Sequence, residues 1–122
     1  MASTPRLLVC DDAPGFRLLV QTVFEDGGFA VVGTATSWDE ARGGAQDLQP
    51  DAILLDLWLP VFERAGVTAV RAAAPHAVLA VVSSLATGQA AELVDGLAGI
   101  DLILSKRDPP EEMVRALRER LP

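Results

Sequence analysis

The 122-residue sequence predicts an α/β fold, a doubly wound five-stranded parallel sheet with five helices. Three observations carry the prediction. Short apolar runs alternate with segments of helical period, the signature of repeated βα units. The runs are Leu7–Cys10, Ala30–Val32, Ile53–Leu55, Val78–Val82 and Leu102–Leu104, each nearly continuous, as strands covered on both faces require. Acidic residues close the first and third runs, where an open parallel sheet forms its ligand crevice.

The helical segments differ in clarity. Phe16, Leu19, Val20, Val23 and Phe24 form one apolar stripe, and Gly27-Gly28 follow it, supplying the backbone freedom a helix C-terminus prefers. The second helix opens with Ser37-Trp38-Asp39-Glu40, a capping-box pattern. Its interior Gly43-Gly44 cost about 1 kcal/mol each relative to Ala, so a short or frayed helix is expected. The third spans about Ala65–Ala74 before Pro75, and the fourth about Gln89–Leu97, with Leu93, Val94 and Leu97 on one face. The fifth begins near Pro109-Pro110-Glu111-Glu112 and turns Met113, Val114, Leu117 and Leu121 to one side; proline and acids suit a helix N-terminus. Residues 1–122 read as a single domain, with any output domain outside this chain.

Composition narrows the function. A formal charge of −7 argues against this segment gripping nucleic acid, whose phosphates demand a basic face. The lone Cys10 lies in an apolar run, so a disulfide framework is excluded and a cytoplasmic setting is expected. The longest apolar stretch, Ala77–Val82, falls far short of the roughly 20 residues of a membrane span. The lead from Met1 to Arg6 offers no secretory h-region. Neither a P-loop nor a G-x-G-x-x-G fingerprint occurs. The single His76 has no His or Cys partner in the pattern of a metal site and reads as a surface loop residue.

The placement of charge is the sharpest feature. Asp11-Asp12 end the first strand and Asp56 the third. With strand order 2-1-3-4-5 those strands are neighbours at the switch point, so the three carboxylates converge. Lys106, past the fifth strand, and Ser83-Ser84, ending the fourth, rim the same edge. Two carboxylates about 4 Å apart repel by roughly 4 kcal/mol at an effective dielectric of 20. A hard divalent ion with oxygen ligands relieves that repulsion, and Mg²⁺ uses one or two carboxylates with water and phosphate oxygens. One aspartate is then left as a nucleophile toward a phosphoryl donor. The ion, Lys106 and a serine hydroxyl would offset charge on the transferring group.

Leu-Leu-Val-Cys-Asp11-Asp12 with Arg17 five residues on, Gln-Pro-Asp-Ala-Ile-Leu-Leu-Asp56-Leu-Trp-Leu-Pro60, and Ile-Leu-Ser-Lys106-Arg-Asp-Pro-Pro-Glu-Glu resemble a response-regulator receiver domain of two-component signalling. The last segment is similar to receivers that precede helix-turn-helix output domains. The resemblance covers the whole chain and implies a flavodoxin-like fold. It implies Asp56 as phosphoacceptor, Asp12 as direct Mg²⁺ ligand with Asp11 acting through water, and the Trp58 carbonyl completing the coordination. It implies Lys106 as the phosphate-pairing lysine and Ser83 or Ser84 as the switch hydroxyl. The implied partners are a histidine kinase and a second copy meeting the face of the fourth helix, fifth strand and fifth helix. DNA would be reached only through an output domain absent from this chain.

The chain also departs from the family pattern. Ile103 stands where an aromatic residue is usual, Arg107 follows Lys106 in place of proline, and the glycine expected soon after Pro60 is displaced to Gly66. A receiver-like interaction module that no longer switches by phosphorylation is therefore the alternative. A Mg²⁺-dependent phosphohydrolase is disfavoured, because Trp58 occupies the place of the second aspartate such enzymes carry. A signalling acceptor, not an enzyme, is the expectation.

Overall fold

The computed structural model describes residues 4–122; the reading of the N-terminal lead falls partly on Met1–Ser3, outside the described residues. The elements are β1 (Arg6–Cys10), α1 (Pro14–Asp26), β2 (Ala30–Ala35), α2 (Trp38–Leu48), β3 (Ala52–Asp56), α3 (Arg64–Ala73), β4 (Val78–Ser83), α4 (Thr87–Leu93), β5 (Leu102–Ser105) and α5 (Pro110–Arg120). All strand pairs are parallel, in the order β2-β1-β3-β4-β5, as the sequence predicts.

Period two along each strand divides the core in two. Leu8, Cys10, Ile53, Leu55, Leu79 and Val81 pack on one face, against α2, α3 and α4. Leu7, Val9, Ala52, Leu54, Ala80, Val82 and Leu104 pack on the other, against α1 and α5. Burial on both faces is met by β1, β3 and β4. At the sheet edge β2 departs from it, being half-buried or exposed until Ala35.

The stripe of α1 is narrower than expected. Val20 and Phe24 are buried, whereas Leu19 is 48% exposed. At 3.6 residues per turn Leu19 points about 100° away from Val20, and that rotation takes it out to solvent.

Helix α2 is neither short nor frayed. It runs through Gly43-Gly44 for 11 residues. Its start is secured by Ser37 Oγ, which accepts the Glu40 N–H at 3.1 Å, and by the Glu40 carboxylate, which accepts the Thr36 N–H at 2.8 Å. Gly44 lies over Leu8 of the sheet, next to the buried Ala45, whereas Gly43 faces open space. A Cβ on Gly44 would meet Leu8 Cδ1 at 3.3 Å, so the small residue lets the helix approach and recovers in packing what it loses in propensity. Gly66 acts similarly in α3: a Cβ there would lie 2.5 Å from Trp38 Cε3. The displaced glycine thus seats an indole.

Helix α4 begins at Thr87 and ends at Leu93, two residues earlier and four residues earlier than the expected 89–97. Its end is held from outside. The Arg64 guanidinium donates to the carbonyls of Leu93 at 3.1 Å and Asp95 at 2.7 Å, taking up acceptors that a helix C-terminus leaves open. Gly96 then turns the chain with φ +83°. Val94 still reaches the core beside Ala90, with Leu93 and Leu97 packed at its margin. Helix α5 buries Met113, Val114 and Leu117, with acids in its first turn and arginines in its last. Among the described residues no helix is long and apolar enough to cross a membrane.

The two glycines of α2 give a direct test. Nothing lies within 4 Å of a Cβ built on Gly43, so Gly43→Ala is expected to raise unfolding free energy by about 0.5–1 kcal/mol. Gly44→Ala should gain less or lose stability against Leu8. Urea melts of both variants check the difference.

Candidate functional site

Strand parity assembles the site. Val9, Leu54 and Leu104 belong to the α1/α5 core. Asp11, Asp56 and Lys106 each follow one of them by two residues, so all three leave the sheet on the same face. Ser83 follows Val81 of the opposite core and approaches from the other side. Carboxylate oxygens of Asp11, Asp12 and Asp56 lie within 4.8 Å of one another. Asp11 and Asp56 are 3% and 4% exposed, and Asp12 stands at the open mouth.

Lys106 is the counter-charge. Its Nζ lies 2.8 Å from Asp11 Oδ2 and 3.1 Å from Asp56 Oδ2. Phe16, from the first turn of α1, lays its ring 4.3 Å from the ammonium, a cation–π contact of about 0.5–1 kcal/mol. Remaining lone pairs are filled locally: Asp11 Oδ1 accepts the Ala13 N–H at 2.8 Å, and Asp56 Oδ1 accepts the Trp58 N–H at 2.9 Å. Arg17 donates to the Asp11 carbonyl at 3.0 Å, fixing the strand end to α1.

One cation faces three carboxylates in this cluster. Burial pushes the Asp56 carboxyl from its ordinary 3.8 up to about 6; the Trp58 N–H opposes the shift, the Asp11 charge adds to it, and Lys106 opposes it. Burial works against the Lys106 ammonium too, but its bond to Asp11 and the charges of Asp56 and Asp11 hold it above its ordinary value.

The two serines separate. Ser83 is fully buried, and its Oγ accepts the Leu85 N–H at 3.0 Å and the Trp58 indole N–H at 3.4 Å. Ser84 is exposed and contributes its carbonyl, which accepts from Arg107 Nε at 3.0 Å. Ser83 is thus the serine whose hydroxyl is tied to the site, through Trp58, whose backbone N–H is bonded to Asp56. Arg107 belongs to a latch: Ser105 Oγ donates to the Leu85 carbonyl at 3.0 Å, and the Lys106 N–H donates to the Ser83 carbonyl at 2.8 Å. Three consecutive residues thereby hold three consecutive carbonyls. Phe16 and this latch were not anticipated. The position of Phe16 four residues after Asp12, on the helix that starts at the acidic pair, was the available signal for the first.

A doubly wound parallel sheet with an acid–lysine crevice at its switch point defines a phosphoryl-accepting signalling domain. The response regulator receiver domain family matches residues 7–118, and the chain belongs to that family. It is 30% identical over 118 residues to the chemotaxis protein CheY of Thermotoga maritima, covering 93% of this chain and 95% of that protein. It is similar to a two-component response regulator of the LuxR family from Aurantimonas, with TM-score 0.83, 27% identity, and coverage of 96% and 84%. It is also similar to a Burkholderia pseudomallei response regulator solved with a phosphorylated aspartic acid, a calcium ion and citrate, with TM-score 0.80, 26% identity, and coverage of 93% and 66%. Other curated relatives are longer; the chain spans 32% of a methylesterase from Alkalilimnicola ehrlichii, to which it is 37% identical over 126 residues, 95% of this chain.

The raised Asp56 value sets a pH dependence. Between pH 3.8 and about 6 the native state holds a proton that the unfolded chain releases, so stability falls as pH rises through this window and stays lower above it. Asp56→Asn, which mimics the neutral carboxyl beside Asp11, Asp12 and Lys106, is expected to stabilise the metal-free protein at pH 7.5. The gain should shrink toward pH 4, as urea melts in EDTA at both values would show.

Proposed function

We propose that the chain accepts a phosphoryl group on Asp56 from a histidine kinase or a small acyl phosphate, with Mg²⁺ held by Asp11, Asp12 and Asp56 and by the Trp58 carbonyl. The supporting observation is the Asp56 carboxylate itself: almost buried, gathered with two other carboxylates inside 4.8 Å, and touched by one lysine. The donor set is all oxygen, which suits a hard divalent cation. When bound, such an ion supplies positive charge to the oxygens of the transferring group.

The chain's own groups supply the rest. One Asp56 oxygen attacks phosphorus, the bond from phosphorus to the donor's leaving atom breaks, and the electron pair departs with the leaving group, acetate in the case of acetyl phosphate. The Trp58 N–H steadies Oδ1 of the nucleophile. Lys106, already 3.1 Å from Asp56, follows the new negative charge onto the phosphoryl oxygens. The Ser83 hydroxyl donates to one of those oxygens. No turnover of a separate substrate is required, so the domain acts as a signalling acceptor. The partner this reading requires is a kinase; self-association through the face of α4, β5 and α5, and DNA contact through a separate output domain, belong to the same proposal.

Incubation with Mg²⁺ and acetyl phosphate is expected to add one phosphoryl group by intact mass, and Asp56→Asn to abolish the gain; an unchanged mass for the unsubstituted protein overturns the reading. Without a phosphoryl donor, Mg²⁺ at one hundred times its dissociation constant should stabilise the protein by about 2.7 kcal/mol. Asp12→Asn, at an exposed position, should remove most of that increment while leaving the metal-free urea midpoint nearly unchanged.

A further inference from the structure

Trp58 touches both halves of the reacting centre. Its backbone N–H donates to Asp56 Oδ1 at 2.9 Å, and its indole N–H donates to Ser83 Oγ at 3.4 Å. A serine hydroxyl has two acceptor lone pairs and one proton. The Leu85 N–H, at 3.0 Å, takes one lone pair and the indole takes the other. Only the proton is then left for a new partner.

Packing does not account for the residue. Trp58 is 37% exposed, and its ring rests against Phe62 at a centroid distance of 6.1 Å. Ser83 already has a partner in the Leu85 N–H, so the indole is not needed to satisfy a buried oxygen. The indole bond is longer than the usual 2.7–3.2 Å of an N–H···O contact, so the hydroxyl can shift toward an incoming oxygen at little cost.

We propose that Trp58 is a positioning residue for phosphoryl transfer: its indole N–H holds the Ser83 hydroxyl so that the proton is presented to a phosphoryl oxygen on Asp56. The inference rests on Asp56 being the phosphoacceptor and adds a task for the Trp58 side chain beyond its backbone. Ser83 donates and Trp58 aims it, one residue thereby contacting both the acceptor carboxylate and the hydroxyl.

The test is a double-mutant cycle. Trp58→Phe keeps the ring, the backbone N–H and the carbonyl, and removes only the indole donor. With acetyl phosphate and Mg²⁺, and phosphorylation followed by intact mass, Trp58→Phe is expected to slow the reaction about two- to tenfold, the range for one neutral hydrogen bond. Ser83→Ala should slow it at least as much, and adding Trp58→Phe to Ser83→Ala should slow it no further. A second measurement does not depend on the reaction: the indole N–H resonance missing from Trp58→Phe should move in Ser83→Ala. The resonance of Trp38, whose indole donates to the Val61 carbonyl, should stay in place. A wild-type rate for Trp58→Phe, equal slowing in both backgrounds, or an unmoved resonance overturns the inference and leaves phosphorylation of Asp56 intact. If the unsubstituted protein gains no mass, the acceptor reading fails and this inference falls with it.

Discussion

Two almost buried carboxylates share a single ammonium at the carboxyl edge of the sheet. Lys106 reaches Asp11 at 2.8 Å and Asp56 at 3.1 Å, and the strand ends that carry these residues come from three separate parts of the chain. Attraction across a partly buried pair at about 4 Å amounts to some 4 kcal/mol at an effective dielectric of 20, and desolvation consumes much of it. The arrangement is thus held together without being electrically complete, since Asp11 and Asp56 outnumber Lys106 and Asp12 adds a further negative charge at the mouth. A crevice in that condition gains from any cation that enters and from any reaction that delivers a group the lysine can follow. Its incompleteness is the basis of the chemistry.

The fold supplies the crevice with little special machinery. Alternation along parallel strands sends Val9, Leu54 and Leu104 into one core, and the same alternation two residues later sends Asp11, Asp56 and Lys106 to the rim. Continuous apolar runs make the strands, and the runs end where charge begins. Ser83 reaches the rim from the opposite core, so its hydroxyl meets the site across the plane of the sheet. Trp58 bridges that gap from the loop after β3.

Much of this was readable from the chain alone. Five apolar runs gave the strands and the positions of four charged residues marked their ends, while the sheet order that brings those ends together came with the flavodoxin-like arrangement the resemblance implies. What escaped was relational. The continuity of α2 depends on Gly44 lying over Leu8, a contact between distant segments that propensity cannot register. The early end of α4 depends on Arg64 reaching across from α3. Leu19 fits an apolar stripe in projection, yet the orientation of α1 on the sheet leaves it in water. Ser83 and Ser84 look alike in the chain; they differ in partners, Ser83 Oγ meeting the Leu85 N–H and the Trp58 indole and Ser84 offering its carbonyl to Arg107. Phe16 packs against the α1/α5 core as its stripe implies, and what the stripe could not show is that its ring also covers the lysine.

The latch of Ser105, Lys106 and Arg107 on the carbonyls of Ser83, Ser84 and Leu85 has a mechanical consequence. Two loops that leave neighbouring strands are joined at successive rungs, so they behave as one stiff plate. The same plate carries a hydroxyl on one side of the crevice and the ammonium on the other.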